Sequence, residues 1–217
     1  MITIQYTPEI SYSFPSYNDC DAGWFTSAEG STKSFIHSYI KPEFNIIDAG
    51  ANIGMYTVPF AKLASKGTVY AFEPTDIVNM LDENLSHNSC KENVVLINQP
   101  LGKEDGRKLD RIFKVWSQGI TDDREHDFIT LDSFIEKIGK KIDLIKIDVD
   151  SYDYEVLLGG EKFLREQSPL IIVELCYALE KRGHSVQEAK DYLMSLGYVE
   201  KEIFDGENYV FIKQDKV

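Results

Sequence analysis

Four apolar runs in this chain end on, or next to, a carboxylate: Asp48, Glu73, Asp148 and Glu174. The first opens Asp48-Ala-Gly50-Ala51-Asn52-Ile-Gly54, an acid, a glycine turn and then a helical pattern. In an α/β protein this order reads as a first strand, a ligand loop and a first helix. A dinucleotide fingerprint needs G-x-G-x-x-G, but Asn52 takes the second of those glycine places and the next glycine is Gly54. Asp48 also puts negative charge where a pyrophosphate needs bare amides and a helix N-terminus. A ligand with a cationic end suits that charge better, and the amino group of S-adenosylmethionine is one. Glu73, in Phe72-Glu-Pro74, follows about 25 residues on, near the spacing at which an acid meets ribose hydroxyls. A carboxylate there accepts from both hydroxyls, and Pro74 stops the strand and fixes its tip.

The third run carries Lys146 and Asp148 just before a helix start near Ser151. If its strand neighbours the strand of Asp48, Asp148 faces the ligand where the winding of the sheet reverses. A lysine inside an apolar run either orients a carboxylate, contacts substrate or forms an ion pair with a nearby acid. Asp150, Ser151 and Glu155 read as capping and first-turn residues of the following helix. Glu174 ends the fourth run, where an ionised group needs a partner, a ligand or water. If the Asp148 and Glu174 strands are adjacent, their backbones lie about 4.8 Å apart. The two carboxylates then suit a shared divalent ion such as Mg2+; a hydrogen bond from a loop amide to Glu174 is equally open. His37, His87, His126 and His184 show no ligand spacing. His126 and His184 fall in expected loops, as bases or as plain surface residues.

Positioning these groups at strand ends requires alternating strands and helices. Strands are expected at Phe44–Ala49, Thr68–Phe72, Val94–Asn98, Leu144–Val149 and Leu170–Leu175, with helices at Met55–Ala64, Asp76–His87, Leu131–Lys137, Tyr152–Arg165 and Val186–Leu196. Beyond Gly197, Tyr198–Phe204 and Tyr209–Lys213 flank Asp205-Gly-Glu-Asn208 and read as a hairpin. The expected fold is α/β: a doubly wound, mostly parallel sheet closed by a C-terminal antiparallel pair. Residues 1–40, rich in aromatics (Tyr6, Tyr12, Phe14, Tyr17, Trp24, Phe25), form a short N-terminal cap of strands and a helix near Ser31–Tyr39. The cap is not an independent unit; residues 41–217 are the ligand-binding domain.

The chain has 217 residues, 43% hydrophobic, which suits one domain with a sizeable core. Its net charge of −13 repels phosphate backbones, so nucleic acid is not the expected partner and a small molecule is. No run is apolar and long enough to span a bilayer, and the N-terminus lacks the basic and apolar regions of a leader. Cys20, Cys90 and Cys176 are few and scattered, which fits a reducing, cytoplasmic setting. Nothing in the sequence speaks to the oligomeric state.

Taken in order, Asp48–Gly54, Phe72-Glu-Pro74, Pro100-Leu101-Gly102-Lys-Glu-Asp-Gly106, Thr130-Leu-Asp-Ser-Phe134, Ile145-Lys-Ile-Asp-Val149, Ile172-Val-Glu174 and Leu196-Gly-Tyr198 resemble the FkbM family of S-adenosylmethionine-dependent methyltransferases. The resemblance runs from about residue 29 to residue 213 and implies a class I, Rossmann-like methyltransferase fold. It implies transfer of a methyl group to oxygen, on a sugar or small metabolite. It also implies that the Asp48–Gly54 loop holds the methionine part and Glu73 the ribose; Leu101 and Gly102, ending the region of the third strand, are expected near the adenine. Asp148 is then the base or metal ligand, Glu174 its partner and Lys146 its orienter. Two departures stand out. The family usually reads Lys-Ile-Asp-Val-Glu-Gly-Tyr-Glu, whereas here Asp150, Ser151 and Asp153 replace Glu, Gly and the last Glu. A side chain at Ser151 narrows the pocket or alters the backbone. Many relatives carry a histidine shortly after the strand-end glutamate; here Cys176 and Tyr177 occupy that stretch. Two rival readings are a cofactor-binding protein without turnover and a nicotinamide-dependent oxidoreductase.

Overall fold

The computed structural model describes residues 1–6, 8, 10–16, 26–115 and 118–216. A hairpin of β1 (Ile2–Gln5) and β2 (Ser11–Phe14) precedes helix α1 (Gly30–Tyr39). The alternating region follows: β3 (Ile46–Ala49), α2 (Thr57–Leu63), β4 (Val69–Phe72), α3 (Val78–His87) and β5 (Val94–Ile97). A long two-stranded arm, β6 (Gly106–Val115) and β7 (Ile120–Phe128), leads to α4 (Leu131–Ile138), β8 (Leu144–Ile147), α5 (Asp153–Leu158), α6 (Glu161–Gln167) and β9 (Leu170–Glu174). Helix α7 (Val186–Ser195) and the hairpin β10 (Tyr198–Phe204) and β11 (Asn208–Lys213) complete the order. Tyr17, Trp24 and Phe25, which the sequence places in the cap, lie outside the described residues.

One seven-stranded sheet has the order β10-β11-β9-β8-β3-β4-β5. Its five strands from β9 to β5 are parallel, and β11 and β10 are antiparallel to their neighbours. The expected doubly wound sheet with a closing antiparallel pair is therefore what forms. The winding reverses between β3 and β8, and that point fixes where a ligand crevice opens. Every residue of β3, β4 and β8 is buried. That is why these runs read as continuously apolar instead of alternating. Ile46, Val69, Leu144 and Ile172 face one core cluster, and Ile47, Tyr70, Ile145 and Val173 face the other, one on each side of the sheet. Ile2, Ile4, Tyr6, Tyr12 and Phe14 of the N-terminal hairpin are buried in the first cluster. Helix α2 starts at Thr57, so Pro59 sits among the amides that lack a helical partner and breaks nothing.

Two features depart from the sequence expectation. The helix expected over Tyr152–Arg165 is two helices, α5 and α6, broken at Gly159-Gly160. A Cβ on Gly159 would come within 2.1 Å of the Gly102 carbonyl oxygen, so the break brings this turn against the segment after β5. The β6–β7 arm was not expected at all. It is largely exposed and carries charged cross-strand pairs such as Arg111–Asp123 and Arg107–Glu125, so it lacks the apolar alternation that announces a strand. Among the described residues, no helix is long and apolar enough to cross a membrane.

Candidate active site

A cleft of about 650 Å³ opens at the carboxyl ends of the parallel strands. Its walls include Gly50, Ala51 and Asn52 after β3, Glu73 and Pro74 after β4, and Asp148 to Asp150 after β8. Leu101 and the arm residues Ile112 to Lys114 close one side, and Glu29, Glu174 and Asn208 the other.

The loop after β3 is held by its own protein. Gly50 and Ala51 amides donate to the Phe72 carbonyl at 3.0 and 2.9 Å, and the Gly54 amide to Ala51 at 2.8 Å. The Asn52 amide donates to Glu73 Oε2 at 3.1 Å, and the Ile53 amide to Asn52 Oδ1 at 2.7 Å. All five amides from Gly50 to Gly54 thus have protein acceptors, which leaves no bare amide cradle of the kind a pyrophosphate needs. Gly50 stands at φ 88°, and a Cβ there would lie 1.8 Å from the Asp148 carbonyl oxygen. Only glycine lets the two neighbouring strand ends pass so closely.

Asp48 lies one layer behind the loop. It is 1% exposed, and its Oδ2 accepts from Thr57 Oγ1 at 2.6 Å. Burial raises its pKa to about 6, against the pull of Lys146. Glu73 is buried at the cleft wall, where Oε1 accepts from the Thr75 amide at 3.0 Å and the Thr75 hydroxyl at 2.6 Å. Burial raises its pKa too, against those bonds. Leu101 reaches the cleft, whereas Gly54 and Gly102 sit behind its lining.

Lys146 is 1% exposed and opposite Asp48 in the β3–β8 register. Its Nζ donates to Asp148 Oδ2 at 2.6 Å and lies 4.3 Å from the centre of the Tyr56 ring. Burial alone would lower its pKa, but the charges of Asp148, Glu29 and Asp48 hold it above its ordinary value. It is ion-paired to Asp148 and is not part of the cleft lining. The Tyr56 hydroxyl donates to Glu29 Oε2 at 2.7 Å, and Asn208 Nδ2 donates to Glu29 Oε1 at 2.9 Å. Asn208 pairs in register with Glu174 across β11 and β9. One carboxylate oxygen from each of Glu29, Asp148 and Glu174 lies within 4.8 Å of the other two. The charge of Asp148, and then burial, push the Glu174 pKa far above the usual carboxylate range. Among the described residues, Glu174 has the Cys176 thiol as its hydrogen-bond contact, at 3.9 Å, in place of the expected loop amide.

The capping reading of Asp150 and Ser151 fails. Tyr152 occupies the N-cap place of α5 without a side-chain bond. Asp150 turns through φ 61° and lines the cleft, its pKa raised to about 7 by burial and then by Asp148. Ser151 Oγ accepts from Arg182 Nε at 3.1 Å, and the Val149 amide donates to Asp153 Oδ1 at 2.9 Å. Helix α5 therefore starts two residues later than Ser151, and the tight turn at Asp150 is the reason. Among the described residues no histidine lines this cleft: His126, expected in a loop, is buried within strand β7 of the arm, and His184 packs edge-on against Tyr154.

The family model for the methyltransferase FkbM domain matches residues 48–200. The chain belongs to the FkbM methyltransferase family. No curated protein matches it. Among solved structures, a methyltransferase FkbM from Methylobacillus flagellatus is similar at 14% identity and TM-score 0.56, over 80% of this chain and 44% of that one. This chain thus spans less than half of that protein. A precorrin-6y C5,15-methyltransferase from Geobacter metallireducens is 14% identical with TM-score 0.51, over 85% of each chain. An rRNA methylase from Streptococcus thermophilus is 15% identical with TM-score 0.51, over 85% of this chain and 96% of that one. At such identities the likeness is one of fold. The FkbM domain match contains Asp48, Glu73, Asp148 and Glu174, but Glu29 and Asn208 lie on either side of it. Sequence reasoning missed both, together with Tyr56. Glu29 precedes an expected helix and Asn208 ends an expected turn, places where polar residues are unremarkable.

Proposed function

We propose that this FkbM domain transfers the methyl group of S-adenosylmethionine to a hydroxyl of a small acceptor, a sugar or metabolite. One observation carries the reading: a single cleft has two chemically different ends. Glu73 and Glu174 follow strands three places apart in the sheet, about 14 Å at the spacing of neighbouring strands.

At the Glu73 end, the engaged loop amides disfavour a pyrophosphate and hence a nicotinamide cofactor. S-adenosylmethionine has no phosphate, and the buried acid Asp48 behind the loop suits its cationic methionine end. Glu73 accepts three bonds already, out of about four lone-pair sites. It therefore offers one to a ribose hydroxyl, and a second only if the Thr75 hydroxyl turns away. Phe72, Pro100, Leu101 and Phe113 supply apolar surface for the adenine. S-adenosylmethionine supplies an activated methyl group on a good leaving group, so positioning provides much of the rate. At the other end, Asp148 takes the acceptor hydroxyl's hydrogen bond and receives its proton, while Lys146 fixes the carboxylate from below. The net charge of −13 and the acids around the cleft favour a small acceptor over a nucleic-acid backbone.

The test is a melting series with S-adenosylhomocysteine and with NAD. A ligand that binds only the folded chain raises the midpoint by mass action. S-adenosylhomocysteine should raise it and NAD should not; the reverse result discards the reading. Asp148→Asn should keep the S-adenosylhomocysteine shift while methyl transfer falls about 100-fold or more.

A further inference from the structure

We infer that Glu29, Asp148, Glu174 and the amide oxygen of Asn208 form a binding site for one divalent cation at the acceptor end of the cleft. One carboxylate oxygen from each of the first three already lies within 4.8 Å of the others. Ligands on opposite sides of a Ca2+-sized ion are about 4.6 to 5.2 Å apart, so these oxygens are within the span of one coordination sphere. Among the described residues, Lys146 is paired into the group through Asp148 Oδ2, and the charge of Lys33 also acts on Glu29. Glu29 is held by neutral donors, Tyr56 and Asn208. Glu29, Asp148 and Glu174, with Asp48 behind them, outnumber the two lysines they share, Lys146 and Lys33, and a divalent ion would fill that deficit of positive charge.

Asn208 is an independent observation. It is 2% exposed, and its Oδ1 has no hydrogen-bond partner. Its Nδ2 is on Glu29 and its backbone stands opposite Glu174, so the side chain lies between two of the carboxylates and lines the same cleft. With Nδ2 committed to Glu29, the amide orientation is set, and the oxygen is the atom left without a partner. A buried polar atom without a partner is destabilising, and a coordinated cation would relieve that. Four oxygen ligands with no nitrogen or sulfur suit a hard ion, Mg2+, Mn2+ or Ca2+. Glu29 and Asn208 lie outside the matched domain, so the flanking segments complete the site. Its use in methyl transfer rests on the reading above: the ion would hold the acceptor oxygen beside Asp148.

Titration of the full chain with Mn2+, following free Mn2+ by its electron paramagnetic resonance signal, tests the site. One ion per chain should bind saturably and be displaced by Ca2+. Affinity should fall at least about tenfold in Glu174→Gln and in Asn208→Leu, while both variants keep the melting shift with S-adenosylhomocysteine. Absence of a saturable site, or equal affinity in wild type and Glu174→Gln, overturns the inference. So does a cluster that binds ethanolamine but not Mn2+, which would mark an ammonium site. A variant-sensitive Mn2+ site in a chain that ignores S-adenosylhomocysteine would uphold the cation and sink the methyl-transfer reading instead.

Discussion

The two ends of the cleft are built in different ways. At the cofactor end the parts are local: the loop after β3 and the tip after β4 lock together through the Phe72 carbonyl and Glu73, all within residues 50 to 75. At the acceptor end the parts are remote. Glu29 and Asn208 bond across 179 positions of sequence, and Asp148 and Glu174 arrive from separate strands. A local motif fixes its geometry with a few backbone bonds. A remote cluster inherits its geometry from how the N-terminal segment and the last hairpin pack, so it tolerates different occupants on one scaffold.

If that contrast is sound, some changes should strike both ends and others only one. Gly50→Val should strike both. The new side chain meets the Asp148 carbonyl and must adopt a positive φ, at a cost on the order of 4 kcal/mol or more. Loss of both the S-adenosylhomocysteine shift and Mn2+ binding is the expected result. A variant that melts within a few degrees of wild type would show that the strand ends do not share this contact.

Asp48→Asn should affect the cofactor end through pH. The pKa of Asp48 rises from 3.8 to about 6 on folding. The folded state therefore holds the proton more tightly than the unfolded chain, and ionisation opposes folding as pH climbs from about 4 to 6. Asparagine keeps an acceptor for Thr57 without the charge. Wild type and variant should be equally stable near pH 3, and the variant more stable by about 3 kcal/mol at pH 7. Parallel stability curves from pH 3 to 7 would refute the buried-charge account. Glu73→Ala is a smaller, sharper probe. It should raise KM for S-adenosylmethionine about 10- to 100-fold with little change in kcat, the pattern of lost uniform binding.

The same contrast explains what the sequence made legible. Asp48, Gly50, Asn52 and Glu73 sit beside strand ends whose apolar runs are unmistakable, so spacing alone put them in one place. Asp148 and Glu174 were legible as strand-end acids, yet their neighbourhood depended on strand order. Glu29 gave no local sign, because its place is set by a cap that arrives from the opposite end of the chain. The arm was hidden for another reason: with only its His126–Phe128 end buried on one face, Ile120–Phe128 carries charges where a buried strand carries aliphatics.

The smallest predicted effect isolates that remote cap. Asp205, in the turn between β10 and β11, accepts from the Ser31 amide at 3.3 Å, the Thr32 amide at 2.9 Å and the Thr32 hydroxyl at 2.8 Å. It satisfies the first amides of α1, whose own N-cap residue, Glu29, makes no side-chain cap and stands at φ 58°. The last hairpin thereby positions the carboxylate that the N-terminal segment lends to the cleft. Asp205→Ala should cost about 1 kcal/mol of stability, the usual worth of a helix cap. If the acceptor end depends on this cross-chain tie, Mn2+ affinity should weaken while the melting shift with S-adenosylhomocysteine stays the same. Equal weakening of both ligands would mean that the ends are not separable. Loss of stability with Mn2+ affinity intact would mean that Tyr56 and Asn208 alone suffice to hold Glu29.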